Sequence, residues 1–295
     1  FERDHHWTPT GAKASAEAVV ALLKGHPALG GQPRLDHLTG PSSKADRAWV
    51  GSRGNELQNH CPGSAVPDTV LHLFQTVVTA APAVGLLDEV PPPPVVVIGT
   101  SNSTEQYNFG GYLAQGLGVD VFTVEEGGGG PIAPLQTYLR SDDYIHGRPK
   151  VMVWEWPVVN LRLKRDGAPR LQDKATYRQL IPSVYGPCDA PAAKAVTQVA
   201  RGEFKLLEDL EGLGAFGSGW YIYLQASSPA LTEFTVVSEH VGGTDRYHVP
   251  YFGRVKTFGR TYVELSESTP LRSVSMQVPG DAEGTIEAHL CQVPG

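Results

Sequence analysis

The run Val95-Val96-Val97-Ile98 constrains this chain more than any other feature. Pro91–Pro94 forms a stiff lead-in before it, and Gly99-Thr100-Ser101-Asn102-Ser103 follows. Four consecutive apolar residues leave no polar face for solvent, which suits a strand covered on both sides in a parallel sheet. The residues that follow keep the rhythm. Tyr107–Leu117 predicts a helix despite three glycines, Val119–Val124 a second strand, Pro134–Arg140 a helix and Val151–Trp156 a third strand. This βαβαβ order implies a three-layer α/β domain with right-handed crossovers.

Upstream, Thr8 suits an N-cap and Pro9 the first helical position. Ala16, Val19, Val20 and Leu23 then fall on one helix face, ending near Lys24. Residues 25–90 read as irregular, with a helix expected around Asp68–Ala80. Beyond about residue 188 the pattern changes. Trp220–Leu224, Phe234–Val237, Thr261–Leu265, Ser273–Val278 and Thr285–Leu290 are short β-like segments punctuated by Gly, Pro, Ser and Asp. They predict a small antiparallel sandwich. The expected domains are therefore 1–186 and 187–295. A chain of 295 residues that is 41% hydrophobic has enough apolar material for both cores.

Charge and length narrow the function. The net charge of −7 disfavours nucleic-acid binding. No apolar run is long enough to span a bilayer, so membrane insertion is not expected. The chain starts Phe-Glu-Arg-Asp, without Met or signal peptide, and is expected to be a processed or truncated piece. Cys61, Cys188 and Cys291 show no zinc-like spacing, so no metal site is expected. They read either as three buried thiols or as one disulfide plus one unpaired cysteine in a secreted chain.

Three constellations carry chemistry. In Asp4-His5-His6-Trp7-Thr8, an extended segment would put Asp4 and His6 on one face, with His5 pointing away. Asp4 would then orient His6 as a general base. A metal-binding His pair and a plain helix-entry segment are the competing readings. Ser101 lies just past the buried strand, where parallel sheets place their ligands and where backbone N–H groups can stabilise an oxyanion. An ordinary strand-to-helix turn fits too, and Gly-x-Ser-x-Gly spacing is absent. Gly127–Gly130 can bring amides close to a reacting carbonyl, or be a flexible loop. Jointly they supply acid, base, nucleophile and amide donors, the parts needed for acyl transfer.

In these motifs the chain resembles the AlgX family of alginate O-acetyltransferases. The matching segments are Asp-His-His-Trp-Thr-Pro at 4–9, Gly-Thr-Ser-Asn-Ser at 99–103, Tyr107-Asn108-Phe109, Gly128-Gly129-Gly130 and Trp154-Glu155. Tyr177-Arg178-Gln179 and Leu290-Cys291-Gln292 match as well. The resemblance covers most of the chain and is weaker over 30–90 and 195–280. It implies a permuted SGNH-hydrolase-like three-layer α/β/α domain followed by a β-sandwich carbohydrate-binding domain. It further implies a periplasmic location and O-acetylation of mannuronate in alginate. By the same resemblance Ser101 is the nucleophile, His6 the base, Asp4 its support and Tyr107 an active-site tyrosine. Asn102 and Gly128–Gly130 become oxyanion or active-site support. A second family tyrosine falls near Asn160, a departure from the pattern. The resemblance pairs Cys188 with Cys291 and leaves Cys61 without its family partner. The related AlgJ acetyltransferases share the triad and lack the C-terminal module. Partners implied are alginate or polymannuronate and other alginate biosynthesis and export proteins; no cofactor is implied.

Residues 189–295 hold more acids than bases, so this part is not broadly attractive to a polyanion. From Arg246 to Val263, however, there is no Asp or Glu. Arg254, Lys256 and Arg260 there are candidate alginate contacts, interleaved with Tyr247, Tyr251, Phe252, Phe258 and Tyr262. The alternative is a strand pair with basic residues outside and aromatics inside. Three functions follow: an alginate acetyltransferase, an esterase using water with the same triad, or a non-catalytic polysaccharide-binding scaffold.

Overall fold

The computed structural model describes residues 4–63, 69–80, 91–158, 174–214, 219–228, 230–249, 253–265 and 269–294. It divides into two compact units, Phe1–Leu135 with Gly147–Leu161, and Gln136–His146 with Arg162–Gly295.

The first unit opens with α1 (Pro9–Leu23), capped by Thr8, whose hydroxyl accepts the Gly11 N–H at 3.1 Å. Next come β1 (Asp36–Pro41), β2 (Arg47–Trp49), α2 (Ser52–His60), β3 (Thr69–Leu71) and β4 (Phe74–Ala80). The helix expected around Asp68–Ala80 is thus two strands, Asp68 itself lying outside the described residues. Thr69, Val70, Thr76, Val77, Val78 and Thr79 are β-branched and stiff at χ1, which favours extended chain. β4 pairs antiparallel with β1, and β3 with β2.

The predicted parallel core is present. β5 (Val95–Gly99) is buried at every position and lies between β6 (Val121–Glu125) and β7 (Val151–Trp154). Between β5 and β6 runs α3 (Phe109–Leu117). The glycines that weaken its helical pattern have a packing reason. A Cβ on Gly110 would meet Thr123 Oγ1 at 2.3 Å, and one on Gly116 would meet Val20 of α1 at 2.5 Å. Backbone approach this close excludes any side chain.

The unit boundary falls inside α4 (Ile132–Leu139), and α5 (Asp142–His146) and α6 (Lys174–Tyr185) belong to the second unit. These units cut the chain elsewhere than after residue 186. Hydrogen bonding gives the reason. Arg178 of α6 donates to the Glu264 carbonyl at 2.8 Å and to Asp245 at 2.7 Å. Arg140, 2% exposed, donates to Gln179 at 2.8 Å and to the Arg260 and Gln136 carbonyls at 3.1 Å each. Burial draws the Arg140 pKa down to about 10.

The rest of this unit is β8 (Ala193–Val199), β9 (Gly202–Leu207), β10 (Trp220–Ala226), β11 (Phe234–His240), β12 (Gly243–Val249), β13 (Arg260–Glu264), β14 (Leu271–Val278) and β15 (Gly284–Gln292). They form two four-stranded antiparallel sheets, β13-β10-β15-β8 and β12-β11-β14-β9. Ile222, Leu224, Val263 and Leu290 of one sheet share a core with Phe234, Val236, Val274 and Met276 of the other, which makes a sandwich. β8, β9 and β12 escaped the sequence pattern because their outward positions carry Lys, Gln, Glu, Asp and Arg, which dilute the apolar signal.

Cys188 and Cys291 form a disulfide across 103 positions, and Cys61 is exposed and unbonded. A closed loop near 100 residues is worth roughly 4–5 kcal/mol in the chain-entropy account. Changing both cysteines to Ser should lower the unfolding free energy of the second unit by an amount on that scale, read as a fall in its denaturant midpoint. An unchanged midpoint would contradict it.

Candidate active site

The site begins with a bend rather than the extended segment expected at Asp4–His6. The His6 main-chain N–H turns back onto Asp4 Oδ1 at 3.0 Å, and His6 Nδ1 lies 2.5 Å from the same oxygen. The second oxygen, Oδ2, accepts Trp49 Nε1–H at 2.9 Å and the Ser52 N–H at 3.0 Å. The Asp4 side chain is 1% exposed. Burial pushes its carboxyl up, but hydrogen bonds from the His6 and Ser52 backbone and the His6 ring outweigh this and hold it below the ordinary value. An ionised carboxylate only accepts, so Nδ1 carries a proton, and a ring holding that one proton presents Nε2 as an acceptor. Nε2 lies 2.8 Å from Ser101 Oγ. Asp4, His6 and Ser101 therefore converge as expected. His5 turns aside and meets Ser52 Oγ at 2.8 Å.

Ser101 starts a short 3₁₀ turn, Ser101–Ser103, directly after β5. Trp7 ties this turn to the His6 segment by donating its indole N–H to the Asn102 carbonyl at 2.6 Å, and its ring packs on Phe109. Beneath the turn lies Glu155, 9% exposed, at the end of β7. It accepts the Thr100 N–H at 2.8 Å, the Thr100 hydroxyl at 2.7 Å and, at longer range, Asn102 Nδ2 and Ser103 Oγ. Gly99 is required here, because a Cβ would stand 2.1 Å from the Ser103 Cβ.

The expected supporting residues divide. Tyr107 is fully buried and stacks on His6, ring centroids 5.7 Å apart. Its hydroxyl has no hydrogen-bond partner among the described residues. Burial first, and the Asp4 charge second, push its pKa to about 12, so it stays a neutral donor. The Asn102 side chain does not face outward from Ser101; its amide is turned into the buried Glu155 network. In the glycine loop, Gly127 is the position against Ser101, where a Cβ would lie 4.0 Å from the Ser101 Cβ. Gly128 and Gly130 take positive φ, and the Gly129 N–H turns back to the Glu126 carbonyl. Asp4, His5 and His6 hold ligand atoms within 4.8 Å of one another. A cation there would compete with the Asp4–His6 and His6–Ser101 hydrogen bonds.

The proposed alginate contacts lie in the second unit and differ in their surroundings. Arg260 bonds to Asp142 and to the Arg140 carbonyl, and its side chain is 16% exposed. The stretch that lacks acids in sequence receives one in space, from α5. Tyr247 and Tyr262 are buried, as the alternating-face alternative requires. Arg254 and Lys256 are exposed; Tyr251, Phe252 and Asn160 lie outside the described residues.

Trp49, Ser52 and Glu155 were not among the expected site residues. Trp49 and Ser52 sit in the stretch read as irregular, where a three-residue strand leaves no periodicity. Glu155 carries a usable signal, since an acid between two tryptophans at a strand end is rarely buried without partners. A hydrogen bond to a charged group contributes about 1.5–3 kcal/mol. Trp49→Phe should therefore slow acyl transfer roughly tenfold. Losing a donor to the ionised form raises the Asp4 pKa, so activity should fail at a higher pH on acidification. An unmoved acid limb of the pH–rate profile would contradict this role.

A family model described as SGNH hydrolase-like domain, acetyltransferase AlgX, matches residues 1–158. Alginate biosynthesis protein AlgX of Pseudomonas fluorescens is 26% identical over 99% of this chain and 60% of its own length. The chain thus spans about three-fifths of that relative. The probable alginate O-acetylase AlgJ of the same species is 33% identical over 52% of this chain and 39% of its own. A solved structure of Pseudomonas aeruginosa AlgX superposes with a TM-score of 0.79 at 23% identity, covering 100% of this chain and 68% of that one. No helix among the described residues is long and apolar enough to cross a membrane. With the family match spanning more than half of its residues, this chain belongs to the AlgX family of SGNH hydrolase-like acetyltransferases.

Proposed function

We propose that this chain O-acetylates mannuronate residues of alginate through an acetyl-Ser101 intermediate. The observation that carries the reading is the continuous hydrogen-bond line from Asp4 through His6 to Ser101. His6 Nε2 takes the Ser101 proton as Oγ bonds to the acetyl carbonyl carbon. Main-chain amides of the turn at Ser101 would stabilise the developing oxyanion, with the glycine loop, whose Gly127 lies against Ser101, beside it. The intermediate collapses, the donor's leaving group departs with the proton from His6, and acetyl-Ser101 remains. A mannuronate hydroxyl then gives its proton to His6 and attacks the acetyl carbon, and the bond to Ser101 breaks as Oγ takes that proton back from His6. Tyr107 packs against the imidazole and keeps a neutral hydroxyl in the site.

The catalytic machinery resides in the first unit, and the sandwich serves as the carbohydrate-binding module, with the exposed Arg254 and Lys256 as candidate sugar contacts. The disulfide suits an oxidising compartment, and we place the protein in the periplasm, working with other alginate biosynthesis and export proteins. Hydrolysis is the competing outcome, because water can attack acetyl-Ser101 by the same route. Supplying a chromogenic acetyl ester with oligomannuronate separates the two. Acetyl groups on the sugar support transfer; free acetate alone, at a rate indifferent to the sugar, shows an esterase.

A further inference from the structure

Trp154 and Trp156 follow one another at the end of β7, separated by the buried Glu155. Their rings meet edge to face, 4.8 Å apart at 77°. Trp154 is 37% exposed and Trp156 half-buried, so the pair presents indole surface to solvent. Trp154 is fixed in place, because its Nε1–H donates to the Pro131 carbonyl at 2.8 Å. Pro131 closes the glycine loop whose Gly127 lies against Ser101. In the parallel register Trp154 stands level with Ile98, three residues before Ser101. At a strand rise near 3.3 Å per residue, Trp154 stands about 10 Å before Ser101 along the strand direction, and Trp156 follows toward the same sheet edge.

These features share one location. The C-terminal edge of a parallel sheet is where ligands bind, and an aromatic pair left in water there is unspent binding surface. The C–H-bearing face of a pyranose ring packs on an indole face without needing charge. We propose that Trp154 and Trp156 form a subsite for a pyranose ring of the acceptor polysaccharide, a short distance along the chain from the hydroxyl that receives the acetyl group. This rests on the acceptor being a polysaccharide, as proposed above. The subsite reads the ring rather than its carboxylate, so its contribution should be insensitive to salt, whereas an ionic contact is screened.

The test uses Trp156→Ala, because Trp154 also holds the loop. Oligomannuronate affinity is measured by calorimetry, and acylation of Ser101 by a chromogenic ester is measured alongside. Affinity should fall about tenfold, on the scale of a well-made aromatic contact, while the ester acylation rate stays at the wild-type value. Unchanged affinity overturns the subsite. If Trp156→Ala also loses ester acylation, Trp156→Phe decides: an affinity between the two supports the proposal and a wild-type affinity overturns it. A wild-type protein that only hydrolyses its acetyl group, yet binds the sugar through Trp156, sinks the transferase reading and leaves the subsite standing. Normal transfer with Trp156-independent affinity does the reverse. A wild type that binds no oligomannuronate overturns both.

Discussion

Ser101→Ala is expected to lower the acetyl-transfer rate by about 10⁵-fold or more, the scale seen when a triad nucleophile is removed. Without Oγ there is no atom at 2.8 Å from His6 Nε2 to attack the acetyl carbon. The remaining amides can still bind an ester, so residual rate should show no burst of chromophore. Stability should change little, because one partly exposed hydroxyl contributes only about 1 kcal/mol. Stopped-flow measurement of the burst, with a thermal melt as control, checks both. A normal burst in Ser101→Ala would exclude Ser101 as the nucleophile.

The second large effect is expected from Asp4→Asn. Oδ2 accepts from both Trp49 and Ser52, so the amide oxygen of Asn should take that position and leave its NH₂ toward His6 Nδ1. Two donors cannot face each other, and the imidazole must then carry its proton on Nε2. That nitrogen can no longer accept from Ser101. Turnover should fall about 10⁴-fold with the fold retained, as for other triads with this substitution. A pH effect accompanies it. Asp4 has a lowered folded pKa, so its stabilisation is present above the ordinary value of 3.8 and is lost as pH falls through the folded value. Asp4→Asn should therefore flatten the acid side of the stability curve. A fall in turnover of only a few-fold, or an unchanged acid side, would contradict the network described.

How far the sequence carried these conclusions depends on the type of signal. β5 was legible because five buried positions in a row leave no ambiguity of face. The convergence of Asp4, His6 and Ser101 was legible because they fall at element boundaries, just before α1 and just after β5. The support for Asp4 was not. Trp49 and Ser52 reach it from β2 and the start of α2, contacts across 45 and 48 positions that no local pattern encodes. The expected helix over Asp68–Ala80 failed where β-branched residues and long-range pairing with β1 and β2 overrode a weak periodicity. Arg260 illustrates the same limit for charge. Its stretch is free of acids in sequence, yet Asp142 reaches it from 118 positions away. Asn102 shows it for polar side chains: its neighbour Ser101 faces His6, while its own amide is captured by Glu155.

Glu155 also shows why the Ser101–Ser103 turn is held so closely. Removing a buried carboxylate that accepts from several donors would leave each of those donors unsatisfied. Its contacts to Thr100, Asn102 and Ser103 surround Ser101 in sequence without engaging its hydroxyl, which leaves Oγ to His6.

The central claim is that acetyl groups pass through Ser101 to a sugar hydroxyl, and a chase experiment tests it most directly. The protein is loaded briefly with a chromogenic acetyl ester, separated from it, and mapped by peptide mass spectrometry. It is then mixed with oligomannuronate. One acetyl group is expected on the Ser101 peptide, disappearing on mixing and reappearing on the oligosaccharide. An unacetylated Ser101 peptide, or an acetyl-Ser101 that oligomannuronate does not discharge, would contradict it.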